Sequence, residues 1–143
     1  MFNNEKSNEF LINEGVKQGG ILSPYSFNFY VNDLIKSCVD ANLGANIDCT
    51  NLSIIAYCDD IIILSPIAFH VQTLLSIITD YSKKWIIEFN PSKSGYMSYN
   101  EDIVLQNYDF KIGGKVIPKQ EGIIYLGLPI KDQNYINQYV NEK

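Results

Sequence analysis

The stretch "AYCDDIIIL", residues Ala56 to Leu64, sets two adjacent carboxylates, Asp59 and Asp60, inside an apolar run. The residues on both sides are apolar and mostly β-branched, which is typical of strands that are covered on both faces. Two neighbouring carboxylates repel each other, and burial would further penalise their ionised forms. Two interpretations stay open at this point. The pair is either an acidic turn at the tip of a surface hairpin or a set of ligands for a cation.

The composition indicates one globular domain or a piece of one. The chain has 143 residues, 46% of them hydrophobic, with ten tyrosines, seven phenylalanines and one tryptophan, which argues against disorder. The net charge is −5, and all eleven basic residues are lysines. A free-standing nucleic-acid binder usually carries a basic patch, so this balance counts against such a role for the chain by itself. It is compatible with a centre that holds metal cations.

Cysteine usage and hydropathy indicate an intracellular protein, in the nucleus or the cytoplasm. Cys38, Cys49 and Cys58 are odd in number and lack a C-x-x-C spacing, so neither a disulfide framework nor a zinc site is expected. No apolar run approaches the ~20 residues of a membrane span, and the N-terminus has no secretory signal pattern. His70 is the single histidine, and we expect it to have a surface or structural role.

Two helices are predicted from start signals and periodicity. Ser23-Pro24 and Ser65-Pro66 each place a hydroxyl cap before a proline, and Gly44 is a plausible stop for the first helix. Apolar residues follow each signal at helical spacing. The two predicted core faces are Phe27, Tyr30, Val31, Leu34, Ile35 and Cys38, then Val71, Leu74, Leu75, Ile78, Tyr81 and Trp85.

Strands are predicted around and after these helices. They comprise a short strand ending at residues 10–12, a strand–Asp-Asp–strand unit from about 52 to 64, strands at 86–90 and 94–100, a hairpin around Gly113-Gly114, and one strand within 123–130. The polar tail after Lys131 is expected to fray. The fold class is therefore α+β, an antiparallel sheet with two helices packed on one face and the Asp-Asp hairpin central.

An aspartate pair on a tight hairpin suits one chemistry well. Phosphoryl transfer to a growing nucleic acid uses two divalent cations about 3.5–4 Å apart. Mg²⁺ prefers a few carboxylates together with water and phosphate oxygens. A cation bound at the pair would offset the repulsion between Asp59 and Asp60. Taken alone, such a hairpin is a weak signal.

The neighbouring motifs make the signal specific. "GVKQGGILSP" (Gly15 to Pro24), then a helix, then "YCDD" (Tyr57 to Asp60) resembles the palm of reverse transcriptases, most closely the non-LTR, LINE-type retrotransposon enzymes. "FNPSKS" (Phe89 to Ser94) and "YLG" (Tyr125 to Gly127) follow in the order of that family. The resemblance extends over residues 10–130, and it implies an RNA-directed DNA polymerase with a polymerase palm-like fold.

The resemblance also implies a division of the chain. Residues 10–100 would be palm, 101–130 the palm-to-thumb hairpin region, and 131–143 a tail. Asp59 and Asp60 would be catalytic and would ligate Mg²⁺ or Mn²⁺. Cys58 departs from the alanine that is commonest at its position in the family.

Other matched residues would bind the substrates. Tyr57 would lie near the primer end, Gln18 and Gly19 would line the nucleotide and template pocket, and Gly20 would allow close backbone approach. Lys93 would be catalytic, near the departing pyrophosphate, where a cation or proton donor helps. The alternative for Lys93 is a solvated turn lysine, and the alternative for the "YLG" block is a packed strand end.

One departure from the family pattern limits these expectations. Family members hold the metals with another aspartate upstream of the "GVKQGG" block, but no aspartate precedes Gly15 and the first is Asp33. The fingers and thumb would be missing as well. The resemblance thus implies a partial domain, from a decayed element or a split gene model, with a weak Mg²⁺ or Mn²⁺ site and no polymerase activity alone.

The partners implied by the full-length family are an RNA template, a DNA primer and deoxynucleotide triphosphates, with no membrane. A second hypothesis remains open. The chain would then be a non-catalytic relic of the palm fold that acts at most as a nucleic-acid or protein interaction module.

Overall fold

The computed structural model describes residues 20–99 and 108–141. The described helices and strands are α1 (Ser23–Asp40), β1 (Asn46–Ile47), β2 (Thr50–Asn51), β3 (Ile54–Tyr57), β4 (Asp60–Ile63), α2 (Ala68–Trp85), β5 (Lys111–Ile112), β6 (Lys115–Val116), β7 (Ile123–Tyr125), β8 (Leu128–Ile130) and α3 (Gln133–Asn141). This content agrees with the predicted α+β class. The predicted strand at 10–12 lies outside the described residues.

The described strands do not join into the single sheet that the sequence predicts. Each pairs only with its neighbour along the chain, which gives four antiparallel two-stranded sheets. The Asp-Asp hairpin, β3–β4, is therefore not the centre of a larger sheet within residues 20–99 and 108–141. Its strands are four residues long. One face of the hairpin packs against the core, and no further described strand pairs with its edges.

The strands predicted at 86–90 and 94–100 are not present among the described residues. Ile86 ends α2 in the left-handed region, with φ 55°. The Asn90 carbonyl then accepts hydrogen bonds from the amides of Lys93 and Ser94, both at 3.1 Å. These bonds form a turn at Pro91-Ser92-Lys93, but the described residues on either side of it form no named strand. The segment from 94 to 99 makes one isolated parallel bridge, between Tyr96 and Lys119.

Both helices form, but their ends differ from the predicted ones. Leu22, not Ser23, is the N-cap of α1, and Ile67 is the N-cap of α2. The Ser65 hydroxyl instead accepts a hydrogen bond from the Ile67 amide at 3.0 Å. At the other end of α1, Asn42 takes the left-handed conformation, with φ 52°, so the helix ends before Gly44. Asparagine tolerates this conformation and often follows a helix terminus.

The core confirms most of the two predicted helix faces, but Tyr30 and Trp85, which were predicted to belong to them, are exposed. Its buried members come from α1, β3, α2 and the β5–β6 hairpin: Leu34, Cys38, Ile54, Leu74, Leu75, Ile78, Tyr81, Phe110, Ile112 and Ile117. Helix α2 packs against both α1 and β5. The two helices thus pack against each other, and α1 also contacts β3 while α2 also contacts β5. Burial raises the pKa of the Cys38 thiol to about 11, so this cysteine stays protonated at neutral pH.

The C-terminal third contains two hairpins and a helix. The predicted hairpin at Gly113-Gly114 is confirmed, with both glycines at positive φ. Residues 123–130 form a hairpin with a Leu126-Gly127 turn, not one strand. Beyond it, α3 takes the place of the expected frayed tail. The Asp132 carboxylate accepts a hydrogen bond from the Tyr135 amide at 3.0 Å, which caps this helix.

Membrane insertion of a described helix is not indicated. No helix within residues 20–99 and 108–141 combines the length and the apolar character that a bilayer crossing requires.

Candidate metal and nucleotide site

The carboxylate pair lies where β3 turns into β4. The register pairs Tyr57 with Asp60 and leaves Cys58 and Asp59 as a two-residue turn. Cys58 has φ 52°, in the left-handed region that tight hairpin turns use. Asp59 is thus in the turn and Asp60 is the first residue of β4, and both side chains are exposed. The pair does not carry the burial cost that its apolar surroundings in the sequence imply.

The two faces of this hairpin differ in their environment. Side chains alternate along a strand, and on one face Ile54 is buried while Ile61 and Ile63 pack against the core. On the other face Ile55 is 40% exposed and Tyr57 is 62% exposed. Because Asp60 is the cross-strand partner of Tyr57, it belongs to this outer face. The core therefore anchors one face and leaves Tyr57 and Asp60 accessible to a ligand.

Part of the predicted nucleotide pocket can be placed. Gln18 and Gly19 lie outside the described residues. Gly20 is half-buried three residues before the start of α1, and its carbonyl accepts a hydrogen bond from the Ser23 amide at 3.1 Å. The position of Gly20 is therefore fixed by the first turn of the helix.

Lys93 lies on a different element from the aspartates. It is exposed in the turn that follows Asn90. In the described part of the chain, no ion pair joins Lys93 to Asp59 or Asp60. A shallow concave surface next to it is lined by Glu88, Asn90, Pro91, Ser92 and Lys115. The structure thus brings Tyr57, Asp59 and Asp60 together at one hairpin tip, whereas Lys93 lies in a turn after α2.

Tyr125 is close enough to the pair to sense its charge. Burial and then the negative charge of Asp60 raise the pKa of the Tyr125 phenol above its ordinary value. The hydroxyl oxygen is buried, and among the described residues it has no hydrogen-bond partner. Tyr125 belongs to the "YLG" block that was identified in the sequence. Nothing in the sequence relates Tyr125 to Asp60, since these residues are far apart along the chain.

The pair fits part of a magnesium site. Mg²⁺ usually takes one or two protein carboxylates and fills its other positions with water and substrate phosphates. The two exposed carboxylates on adjacent residues match that demand. In residues 20–99 and 108–141, no three histidine, cysteine, aspartate or glutamate side chains are grouped so as to hold a metal ion.

Comparison with known proteins identifies the family. A family model described as reverse transcriptase (RNA-dependent DNA polymerase) matches residues 1–130. The match extends over most of the chain, and the chain therefore belongs to the reverse transcriptase family. This confirms the resemblance that was based on the "GVKQGGILSP" and "YCDD" motifs.

Two relatives show which branch of the family the chain is similar to. It is 28% identical over 130 residues to the Retrovirus-related Pol polyprotein from type-1 retrotransposable element R2 of Popillia japonica. The aligned region covers 85% of this chain and 22% of that relative. It is 26% identical over 117 residues to the Pol polyprotein from type-2 retrotransposable element R2DM of Drosophila melanogaster, covering 78% of this chain and 11% of the relative. The chain thus spans under a quarter of the length of either relative. No solved structure matches it.

Proposed function

We propose that this chain supplies the catalytic aspartate pair of an RNA-directed DNA polymerase from a retrotransposon. The observation that carries the proposal is the exposed Asp59–Asp60 pair at the tip of a hairpin whose other face is anchored in the core. A fixed backbone keeps the two carboxylates at constant positions, as ligands of Mg²⁺ or Mn²⁺ must be. When bound, the cations would activate the attacking hydroxyl and neutralise the charge on the phosphates.

The other residues of the proposed site position the substrates. Tyr57, cross-strand partner of Asp60, would contact the primer end with its exposed ring. Gln18, Gly19 and Gly20 would line the pocket for nucleotide and template. Lys93 would stabilise the departing pyrophosphate by its positive charge. The proposed partners are an RNA template, a DNA primer and deoxynucleotide triphosphates, and the proposed compartment is intracellular.

Metal binding tests the role of the aspartate pair. We expect residues 1–143 to bind Mn²⁺ weakly, because two carboxylates are only part of a coordination shell. The Asp59→Asn/Asp60→Asn variant should weaken binding roughly tenfold or more, measured by water-proton relaxation or electron paramagnetic resonance. The matched control is Asp48→Asn/Asp109→Asn, which removes the same charge from two exposed aspartates elsewhere. Equal weakening in both variants would show diffuse attraction and would contradict a site at the hairpin tip.

Primer extension tests the activity itself. With an RNA template, a DNA primer, Mg²⁺ and all four nucleotides, we expect no extension by residues 1–143 alone. The two-metal mechanism needs ligands from more than one element, and we propose that the further carboxylate belongs to a segment that residues 1–143 do not include.

Restoring that ligand sharpens the same assay. Joining a segment of the R2 type that carries the further aspartate should give extension, and Asp59→Ala should then lower its rate by ~10²–10³ or more. Asp48→Ala is the control and should leave the rate unchanged. Extension by residues 1–143 alone would show that the chain holds a complete site. A restored activity that tolerates Asp59→Ala would contradict a catalytic role for Asp59, and no activity after the restoration would support the alternative, a non-catalytic interaction module.

A further inference from the structure

A short loop after α1 closes the base of the β3–β4 hairpin. The Ala45 amide donates to the Leu64 carbonyl at 2.9 Å, and the Leu52 amide donates to the Ala45 carbonyl at 2.8 Å. The Leu64 amide in turn donates to the Ser53 carbonyl at 3.0 Å, directly below the strand ladder. Ala45 is therefore bonded to the segments that enter and leave the hairpin. A shift of this loop would move both of them.

At Gly44 the same loop lies very close to the hairpin base. A Cβ atom added at Gly44 would lie 2.6 Å from the Ser53 Cβ and 2.7 Å from the Leu64 carbonyl oxygen. Ser53 is itself fully buried. The Gly44 backbone is thus packed against the Cβ of a fully buried side chain and against a backbone carbonyl, which leaves little space for an added methyl group.

His70 holds this loop from the side of α2. It is in the first turn of α2, and its Nδ1 accepts a hydrogen bond from the Gly44 amide at 3.3 Å. An imidazole nitrogen that accepts a hydrogen bond carries no proton, so the proton of the neutral ring is on Nε2. The bond joins a rigid helix to the residue that precedes Ala45. The other end of the hairpin, about four residues or ~13 Å along the strands, bears Asp59 and Asp60.

We propose that His70 is a positioning residue for the aspartate pair, acting through Gly44 and Ala45 on the base of the β3–β4 hairpin. This inference rests on the proposed function of the pair. Hydrogen bonds along the short ladder transmit the position of the base to the tip, because Tyr57 and Asp60 are the last pair of that ladder. Without the acceptor on His70, the Gly44 amide is left without this bond, and the loop loses a hydrogen bond to α2.

Two substitutions separate this role from general stability. The side-chain oxygen of asparagine can take the place of Nδ1, whereas that of glutamine reaches the place of Nε2. His70→Asn should therefore keep the hydrogen bond and His70→Gln should lose it. Glutamine is the better helix former, so a general effect on the stability of α2 would favour the Gln variant instead. Exchange of the Gly44 amide hydrogen should accelerate roughly three- to tenfold in His70→Gln, as expected for loss of one hydrogen bond, and stay near wild type in His70→Asn.

Three readouts decide the proposal. The ¹⁵N chemical shift of His70 Nδ1 should be that of an unprotonated nitrogen. A protonated Nδ1 would overturn the positioning role of His70. The amide shifts of Asp59 and Asp60, recorded without metal, should move in His70→Gln and return in His70→Asn, and shifts that stay fixed in both variants would also overturn it. Mn²⁺ affinity should fall several-fold in His70→Gln alone. If the wild type binds no Mn²⁺ at the pair while the amide shifts respond, the proposed function fails and the positioning role stands.

Discussion

Gly44→Ala is expected to destabilise the protein by about 2–5 kcal/mol. Gly44 has φ +87°, where a side chain costs roughly 1–2 kcal/mol. The added methyl would also overlap the Ser53 Cβ at 2.6 Å and the Leu64 oxygen at 2.7 Å, and overpacking of this kind costs about 1–3 kcal/mol. Because both contacts belong to the hairpin base, the substitution should also lower Mn²⁺ affinity.

Gly113→Ala is the matched control for this variant. Gly113 also has positive φ, +57°, but a Cβ there would meet no atom within 4 Å. Its cost should therefore be the backbone term alone, about 1–2 kcal/mol. Urea unfolding followed by circular dichroism gives both free energies of unfolding. Equal losses at the two positions would show that the hairpin base yields to the methyl group and that the close approach of Gly44 is not a constraint.

Leu74→Ala should destabilise the protein by about 2–5 kcal/mol, because it leaves a cavity at the contact of α2 with the rest of the core. Leu74 is fully buried and is among the largest such side chains in the described residues. The control is Phe29→Ala on α1, which removes a larger side chain that is 87% exposed and should change stability by no more than ~0.5 kcal/mol. A loss of similar size in both variants would mean that Phe29 is covered in solution and that exposure does not rank these positions.

The sequence predicts the helix faces and the hairpin around the aspartates because both depend on short-range periodicity. Leu34, Cys38, Leu74 and Ile78 recur at helical spacing and are buried. The helix ends were less predictable, since Ser23 and Ser65 fit the cap pattern but the local backbone uses Leu22 and Ile67 instead. At 123–130 the Leu126-Gly127 turn was missed, because leucine rarely takes the positive φ that it has there.

The site divides in the same way between local and long-range information. Tyr57, Asp59 and Asp60 are adjacent in the sequence, and a two-residue turn is enough to bring them together. Two other interactions depend on how separate elements pack. They are the electrostatic effect of Asp60 on Tyr125 and the hydrogen bond between Gly44 and His70. No periodicity or motif spacing encodes such distances. This is why sequence reasoning left His70 with only a surface or structural role.

The pairing of every described strand with its immediate neighbour bears on how fast the protein folds. Each sheet closes through a turn of two residues, and such hairpins form within about 1–10 μs. We expect the slow step to be the docking of distant elements. Examples are the hydrogen bond of Tyr81 on α2 to the Tyr30 carbonyl of α1, 51 residues apart, and that of Gln72 with Lys111, 39 residues apart. We therefore expect helix association and loop closure to set the folding rate, with little contribution from the strand ladders.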